Sequence, residues 1–120
     1  MRQNKSRVKS FKVASSGLKH ALLTQINFQI QLTIGLVVLF LAAWVNFSRF
    51  EWLVLIITIG LVLVAELLNT VIEVVVDLAV QEKLMPEAKI AKDVSAAAVL
   101  LISLVSVIVG LILFWPHLFG

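Results

Sequence analysis

Three long apolar runs dominate the chain, at about 30–47, 52–80 and 94–115, preceded by a polar, basic stretch and separated by two short polar breaks. Each run is close to the ~20 residues that carry a helix across the hydrocarbon core, so three transmembrane helices are predicted. The second run is anomalous. The stretch VLVAELLNTVIEVVVDLAV carries Glu66, Asn69, Glu73 and Asp77 where lipid-facing side chains are expected. At 100° per residue these four stand at roughly 0°, 300°, 340° and 20°, so they line one narrow face of the second helix. An ionised carboxylate at the bilayer centre costs at least about 2.5 kcal/mol, so such groups face a bundle interior or a wet cleft and mark a functional site. A polar seam that only joins helices is the alternative for a single such residue. Three carboxylates at this spacing favour a functional stripe.

The polar N-terminal stretch has its own pattern. On a helix over about 5–25, Val8, Phe11, Leu18 and Leu22 share one face while Lys5, Lys9, Lys12 and Lys19 flank it, an arrangement suited to the headgroup layer. A basic retention tail with incidental apolar residues is the competing reading, and Ser15, Ser16 and Gly17 weaken the helix because glycine costs about 1 kcal/mol relative to alanine in a helix interior.

Composition agrees with the pattern. With 61% hydrophobic and 14% charged residues in a chain of 120, there is more apolar surface than one small soluble core can bury. The expected fold class is therefore all-α integral membrane, a single membrane-embedded domain over 1–120, with no internal repeat or linker. No signal-peptide pattern precedes the first run, so the N-terminus is expected to be retained. The absence of cysteine excludes a disulfide framework, a thiolate nucleophile and a thiolate-bound metal.

Charge sets the expected orientation. Of ten Lys and Arg, only Arg49 lies between the first two runs; the others precede the first run or lie between the second and third. By the positive-inside rule the N-terminus is cytoplasmic and the C-terminus outside. The net charge of +3 then reflects topology and anionic headgroups rather than nucleic-acid binding.

The third helix begins with matching chemistry. In MPEAKIAKDVSAAAVL, Pro86 suits the first helical position and Glu87 the first turn, while Lys89, Lys92, Asp93 and Ala96 share a face. Snorkelling explains the lysines taken alone. The small residues Ser95, Ala96, Ala97 and Ala98 allow close helix approach, bringing Lys92 and Asp93 toward the acidic stripe. Carboxylates can hold a hard cation such as Mg²⁺, a lysine can neutralise phosphate oxygens, and a spare carboxylate can deprotonate a hydroxyl; this is an inventory for phosphoryl transfer. Ion translocation uses similar groups, but the outer half of the bundle offers only Thr58 and Ser103 as obvious polar side chains. No glycine-rich nucleotide loop is present.

In ELLNTVIEVVVD over 66–77, AKDVSAAAVL over 91–100 and NFQI over 27–30, the chain resembles the small bacterial diacylglycerol and undecaprenol kinases. The resemblance implies a homotrimer, each protomer having a surface helix and three membrane helices, with ATP and a lipid hydroxyl meeting near the cytoplasmic interface in sites shared between subunits. It further implies Glu66 as catalytic base, Glu73 as a ligand of the Mg²⁺ that bridges the ATP phosphates, and Asn69, Lys92 and Asp93 as nucleotide contacts, with Asp77 and Glu82 toward the nucleotide's outer parts. Lipid-substrate contacts are implied at Glu66, Ala96, Gly17, Leu18 and Trp115. One departure stands out: Gln25 occupies the position of a second metal-binding glutamate, and Gln31 likewise replaces an ionisable residue. Glutamine coordinates through its carbonyl oxygen but adds no negative charge, which implies weaker metal binding. The expected activity is transfer of the γ-phosphate of ATP to diacylglycerol at the cytoplasmic face of a bacterial plasma membrane. Undecaprenol is the alternative acceptor, and a non-catalytic helical membrane protein the alternative class.

Overall fold

The computed structural model describes residues 2–81 and 83–120, with side chains from residue 6 onward, and contains four helices: α1 (Arg2–Thr24), α2 (Ile26–Trp44), α3 (Arg49–Val80) and α4 (Pro86–Phe119). The last three are long and apolar enough to cross a membrane, with mean hydropathy of 1.9, 2.4 and 3.0 over their most apolar windows. α3 and α4 make the most extensive helix pair, α2 packs on α3, and α1 touches α2.

α1 runs unbroken through Ser15, Ser16 and Gly17. Its apolar side chains Val8, Phe11, Leu18 and Leu22 stay exposed in the single chain. The break between α1 and α2 falls on Gln25, whose backbone is extended (φ −101°, ψ 104°). Gln29 Nε2 reaches back 2.8 Å to the Leu22 carbonyl, satisfying one of the acceptors left over by the last turn of α1.

The α2–α3 turn is tightly specified. Asn46 takes the left-handed conformation (φ 62°), while the Asn46 and Phe47 N–H groups bond to the carbonyls of Ala43 (3.3 Å) and Ala42 (3.1 Å), a Schellman closure. Ser48 then caps α3. Its Oγ accepts from the Glu51 N–H at 3.2 Å and Glu51 Oε1 accepts from the Ser48 N–H at 2.9 Å. Ser-x-x-Glu is the sequence mark of such a capping box. It lengthens α3 beyond the apolar run.

One seam holds the bundle together. Phe28, Gly35 and Ala42 are the buried residues of α2, spaced by seven, and Leu55, Val62, Glu66 and Asn69 those of α3. Gly35 permits the close approach, since a β-carbon there would lie 3.0 Å from Ile59 Cγ2. The apolar core of Ala42, Phe47 and Leu55 sits at the α2–α3 turn, where Leu113 and Phe114 of α4 close over it. α4 itself contains no buried residue among those described. At the opposite end α3 stops on Gln81 in the left-handed conformation (φ 47°), and α4 starts with Pro86 in its first turn, where a missing N–H costs nothing.

Candidate functional site

The acidic stripe of α3 divides along its length. Glu66 and Asn69 are only 3% and 7% exposed, the sole buried polar side chains among the described residues, whereas Glu73 and Asp77, one and two turns on, are exposed. The division follows from the fold: α2 ends its contact with α3 near Phe28, and beyond that point the α3 face is left open. The Asn27 side chain of α2 lies next to the Glu66 carboxylate. Asn69 Nδ2 donates to Glu73 Oε1 at 3.3 Å, linking the buried half to the exposed half. Asn69 Oδ1 is buried and has no hydrogen-bond partner among the described residues. An orphaned acceptor of this kind costs about 1–3 kcal/mol and marks a place where a donor or cation belongs.

The α4 residues complete the site from the other side. Lys92 Nζ lies 2.5 Å from Asp77 Oδ1, an ion pair that bridges α3 and α4. Asp93 pairs with Lys89, 2.6 Å away, four residues back on its own helix. Together with Lys83, these four groups line an open cavity of about 590 Å³ under the α3–α4 turn, floored by apolar residues such as Val80 and Met85. Basic groups at the rim and apolar groups beneath suit an amphiphilic anion with a flat apolar part. The cavity adjoins the stripe directly, because Asp77 is one turn from Glu73.

A second groove, of about 520 Å³, runs between α1 and α3. It is lined by Gly17, Leu18 and His20 on one side and by Leu67, Thr70 and Val71 on the other. A β-carbon on Gly17 would meet nothing within 4 Å, so the groove is open at this position. Leu67 and Thr70 each neighbour a buried stripe residue, so the groove passes beside Glu66 and Asn69.

Not every residue singled out from sequence gathers here. Gln25 caps α2, its Nε2 3.4 Å from Thr24 Oγ1, two residues from Asn27. Ala96 is exposed one turn beyond Lys92. Trp115 stacks on Phe119 (centroids 4.6 Å apart) at the far end of α4, about 33 Å of helical rise from Asp93. Glu82 lies outside the described residues. Asn27 is the residue that reading the chain for charge overlooked; its place beside Phe28, which turns into the seam, was the available signal.

The donor set can be tested against Mg²⁺. Among the described residues no three His, Cys, Asp or Glu side chains converge. Glu73 and the orphaned Asn69 oxygen, linked through Asn69 Nδ2, offer instead a partial oxygen shell. That fits a cation which commonly takes one or two carboxylates from protein and the rest of its shell from substrate phosphates and water.

Comparison with known proteins decides the family. The sequence model of the family "Prokaryotic diacylglycerol kinase" matches residues 12–114. The chain belongs to the prokaryotic diacylglycerol kinase family. It is 43% identical over 109 residues to a diacylglycerol kinase of Synechocystis, covering 91% of this chain and 62% of that protein. It is 40% identical over 110 residues to an undecaprenol kinase of Bacillus subtilis, covering 92% and 89%. To a diacylglycerol kinase of Escherichia coli it is 34% identical over 101 residues, covering 84% and 82%. The chain thus spans less than two thirds of the Synechocystis relative, but most of the other two. The matched region of the family takes in the whole stripe, both grooves and the α4 start.

Proposed function

We propose that this chain is an ATP-dependent lipid kinase, acting on the hydroxyl of diacylglycerol to give phosphatidic acid, with undecaprenol as the alternative acceptor. The observation that carries the reading is the buried Glu66 and Asn69, flanked in sequence by the groove residues Leu67 and Thr70 and on the same α3 face as Asp77 of the lysine-lined cavity. Lipid arrives by the groove along Gly17 and Leu18, its hydroxyl directed at Glu66; Ala96 and Trp115 lie along the lipid-facing side of α4. ATP enters the cavity, its phosphates drawn by Lys92, which pairs with Asp77 in the nucleotide-free protein, and its γ-phosphate toward Glu73, with Asp93 and Glu82 around its outer parts. Glu73, Asn69 and Gln25 would hold Mg²⁺, which would supply positive charge to the phosphates. Glu66 takes the hydroxyl proton as the lipid oxygen forms its bond to the γ-phosphorus, the bond to the β,γ-bridging oxygen breaks, and ADP leaves. Glu66 is the carboxylate of the stripe that the fold covers, which places it where a lipid hydroxyl, rather than bulk water, would meet it.

The positive-inside pattern supports placing α1 and the α3–α4 turn in the cytoplasm of a bacterial plasma membrane and the C-terminus outside. α1, with Phe11 and Val8 exposed and lysines beside them, then lies in the headgroup layer. The uncovered apolar face of α4 supports assembly into a homotrimer, with sites shared between subunits. Undecaprenol keeps its place as alternative because the Bacillus subtilis relative, an undecaprenol kinase, matches over nearly its full length.

The test is direct: purified protein in lipid bicelles with Mg-ATP, supplied in turn with diacylglycerol and undecaprenol. Phosphatidic acid from the first, at a rate well above that with the second, supports the reading. Preference for undecaprenol selects the alternative, and phosphorylation of neither, with ATP bound or unbound, sinks the kinase assignment.

A further inference from the structure

The two ion pairs at the α3–α4 turn differ in what they connect. Lys89–Asp93 lies within one helix, at 2.6 Å and largely exposed, an ordinary i,i+4 pair. Asp77–Lys92 is the one ion pair among the described residues that joins α3 to α4 at this end of the bundle. It also stands in the mouth of the 590 Å³ cavity, so an entering polyphosphate meets Lys92 with its ammonium already engaged. Lysine is a compact charge on a flexible four-carbon stem that otherwise samples many rotamers. A carboxylate across the gap fixes where that charge waits.

From this geometry we infer that Asp77 is a positioning residue: it holds Lys92 over the cavity mouth in the nucleotide-free protein and gives it up to phosphate. This rests on the kinase reading above and deepens it. Asp77 acts through Lys92 and has no contact of its own with the nucleotide. A phosphate chain carries more negative charge than one carboxylate and draws Lys92 off Asp77. Because the side chains of Lys92 and Asp77 remain 40% and 65% exposed, the pair is weak enough to exchange. The cost of parting it is charged against nucleotide binding and not against the chemical step.

Three measurements decide the matter. Asp77→Asn lowers the KM for Mg-ATP by about two- to five-fold, the worth of an exposed ion pair, while kcat stays within about twofold. Asp77→Glu, which keeps the charge, retains the wild-type KM. In a Lys92→Gln background Asp77→Asn no longer shifts KM. A rise in KM on Asp77→Asn, or an undiminished shift in the Lys92→Gln background, overturns the inference, because either result places Asp77 directly on the nucleotide. The ion pair is also tested without turnover. In nucleotide-free protein, acylation of Lys92 by a small anhydride, followed by mass spectrometry, is several-fold faster in Asp77→Asn than in wild type, and Lys89 is unaffected. Equal Lys92 rates overturn the inference even if the protein proves an active kinase. Faster labelling together with no lipid phosphorylation by wild type would leave the pair standing and discard the kinase reading.

Discussion

The two ends of the α3–α4 pair use the same kinds of side chain to opposite effect. At the α2–α3 turn, Glu51 Oε2 meets His117 Nε2 at 2.7 Å, both side chains only about a fifth exposed (22% and 23%). The imidazole lies on Phe47, ring centroids 5.1 Å apart, and Phe47 in turn packs on Phe114 at 4.6 Å and Trp52 at 6.1 Å. The same Glu51 carboxylate closes the capping box. The Glu51 carboxylate there is held by His117 and the Ser48 N–H, with the Phe47 ring against the imidazole. At the α3–α4 turn the charges are paired but open to solvent, no aromatic ring covers them among the described residues, and a cavity lies between them. A charge locked among rings fastens helices, whereas a charge in an open pair can be exchanged for a ligand. The contrast assigns stability to one end and chemistry to the other.

Substitutions at each end should therefore separate cleanly. The largest effect is expected at the buried base: Glu66→Gln lowers kcat for lipid phosphorylation by about 10²–10⁴-fold with little change in nucleotide affinity, since proton removal matters in the transition state. Near-normal turnover in this variant would make the stripe a structural seam. At the fastened end, Phe47→Ala lowers thermal stability by about 3 kcal/mol through loss of ring packing, measured by unfolding in detergent, while the KM for Mg-ATP is unchanged. If that KM moves as far as the stability does, the two ends are coupled and the contrast fails. Returning to the open end, Glu73→Gln keeps side-chain size but removes a charge, and raises the Mg²⁺ concentration for half-maximal activity about tenfold. The smallest effect runs the other way. Gln25→Glu adds a carboxylate beside Asn27 and lowers that Mg²⁺ requirement about threefold; a loss of activity instead would show a site arranged around glutamine.

Much of the site was legible in the chain because it obeys helical periodicity. The shared face of Glu66, Asn69, Glu73 and Asp77 follows from 3.6 residues per turn, and the Asn69–Glu73 contact is a direct consequence. The approach of Lys92 to the stripe was foreshadowed by Ser95 and the alanines after it. Asp93, read as sharing a face with Lys89 and Lys92, pairs with Lys89 and lines the cavity that Asp77 and Lys92 also line. The Ser48 capping box was present in the letters Ser-Arg-Phe-Glu and went unread beneath the stronger hydropathy signal. The break at Gln25 carries no Gly or Pro, yet it falls where the basic N-terminal stretch, read as a helix over about 5–25, gives way to the first apolar run.

The sequence by itself determined three apolar helices able to cross a membrane, the family, and the line of acidic groups along α3, because composition and period are local properties of a chain. Tertiary structure alone decided which of those acids are buried. Glu66 is covered and Glu73 is open because α2 meets α3 at Phe28 and goes no further along the stripe, a matter of where two helices cross. It also decided that Asn27 reaches Glu66 and that His117, 66 positions away in sequence, finds Glu51. Such pairings depend on helix length, turn geometry and crossing together, and no window of the sequence contains all three.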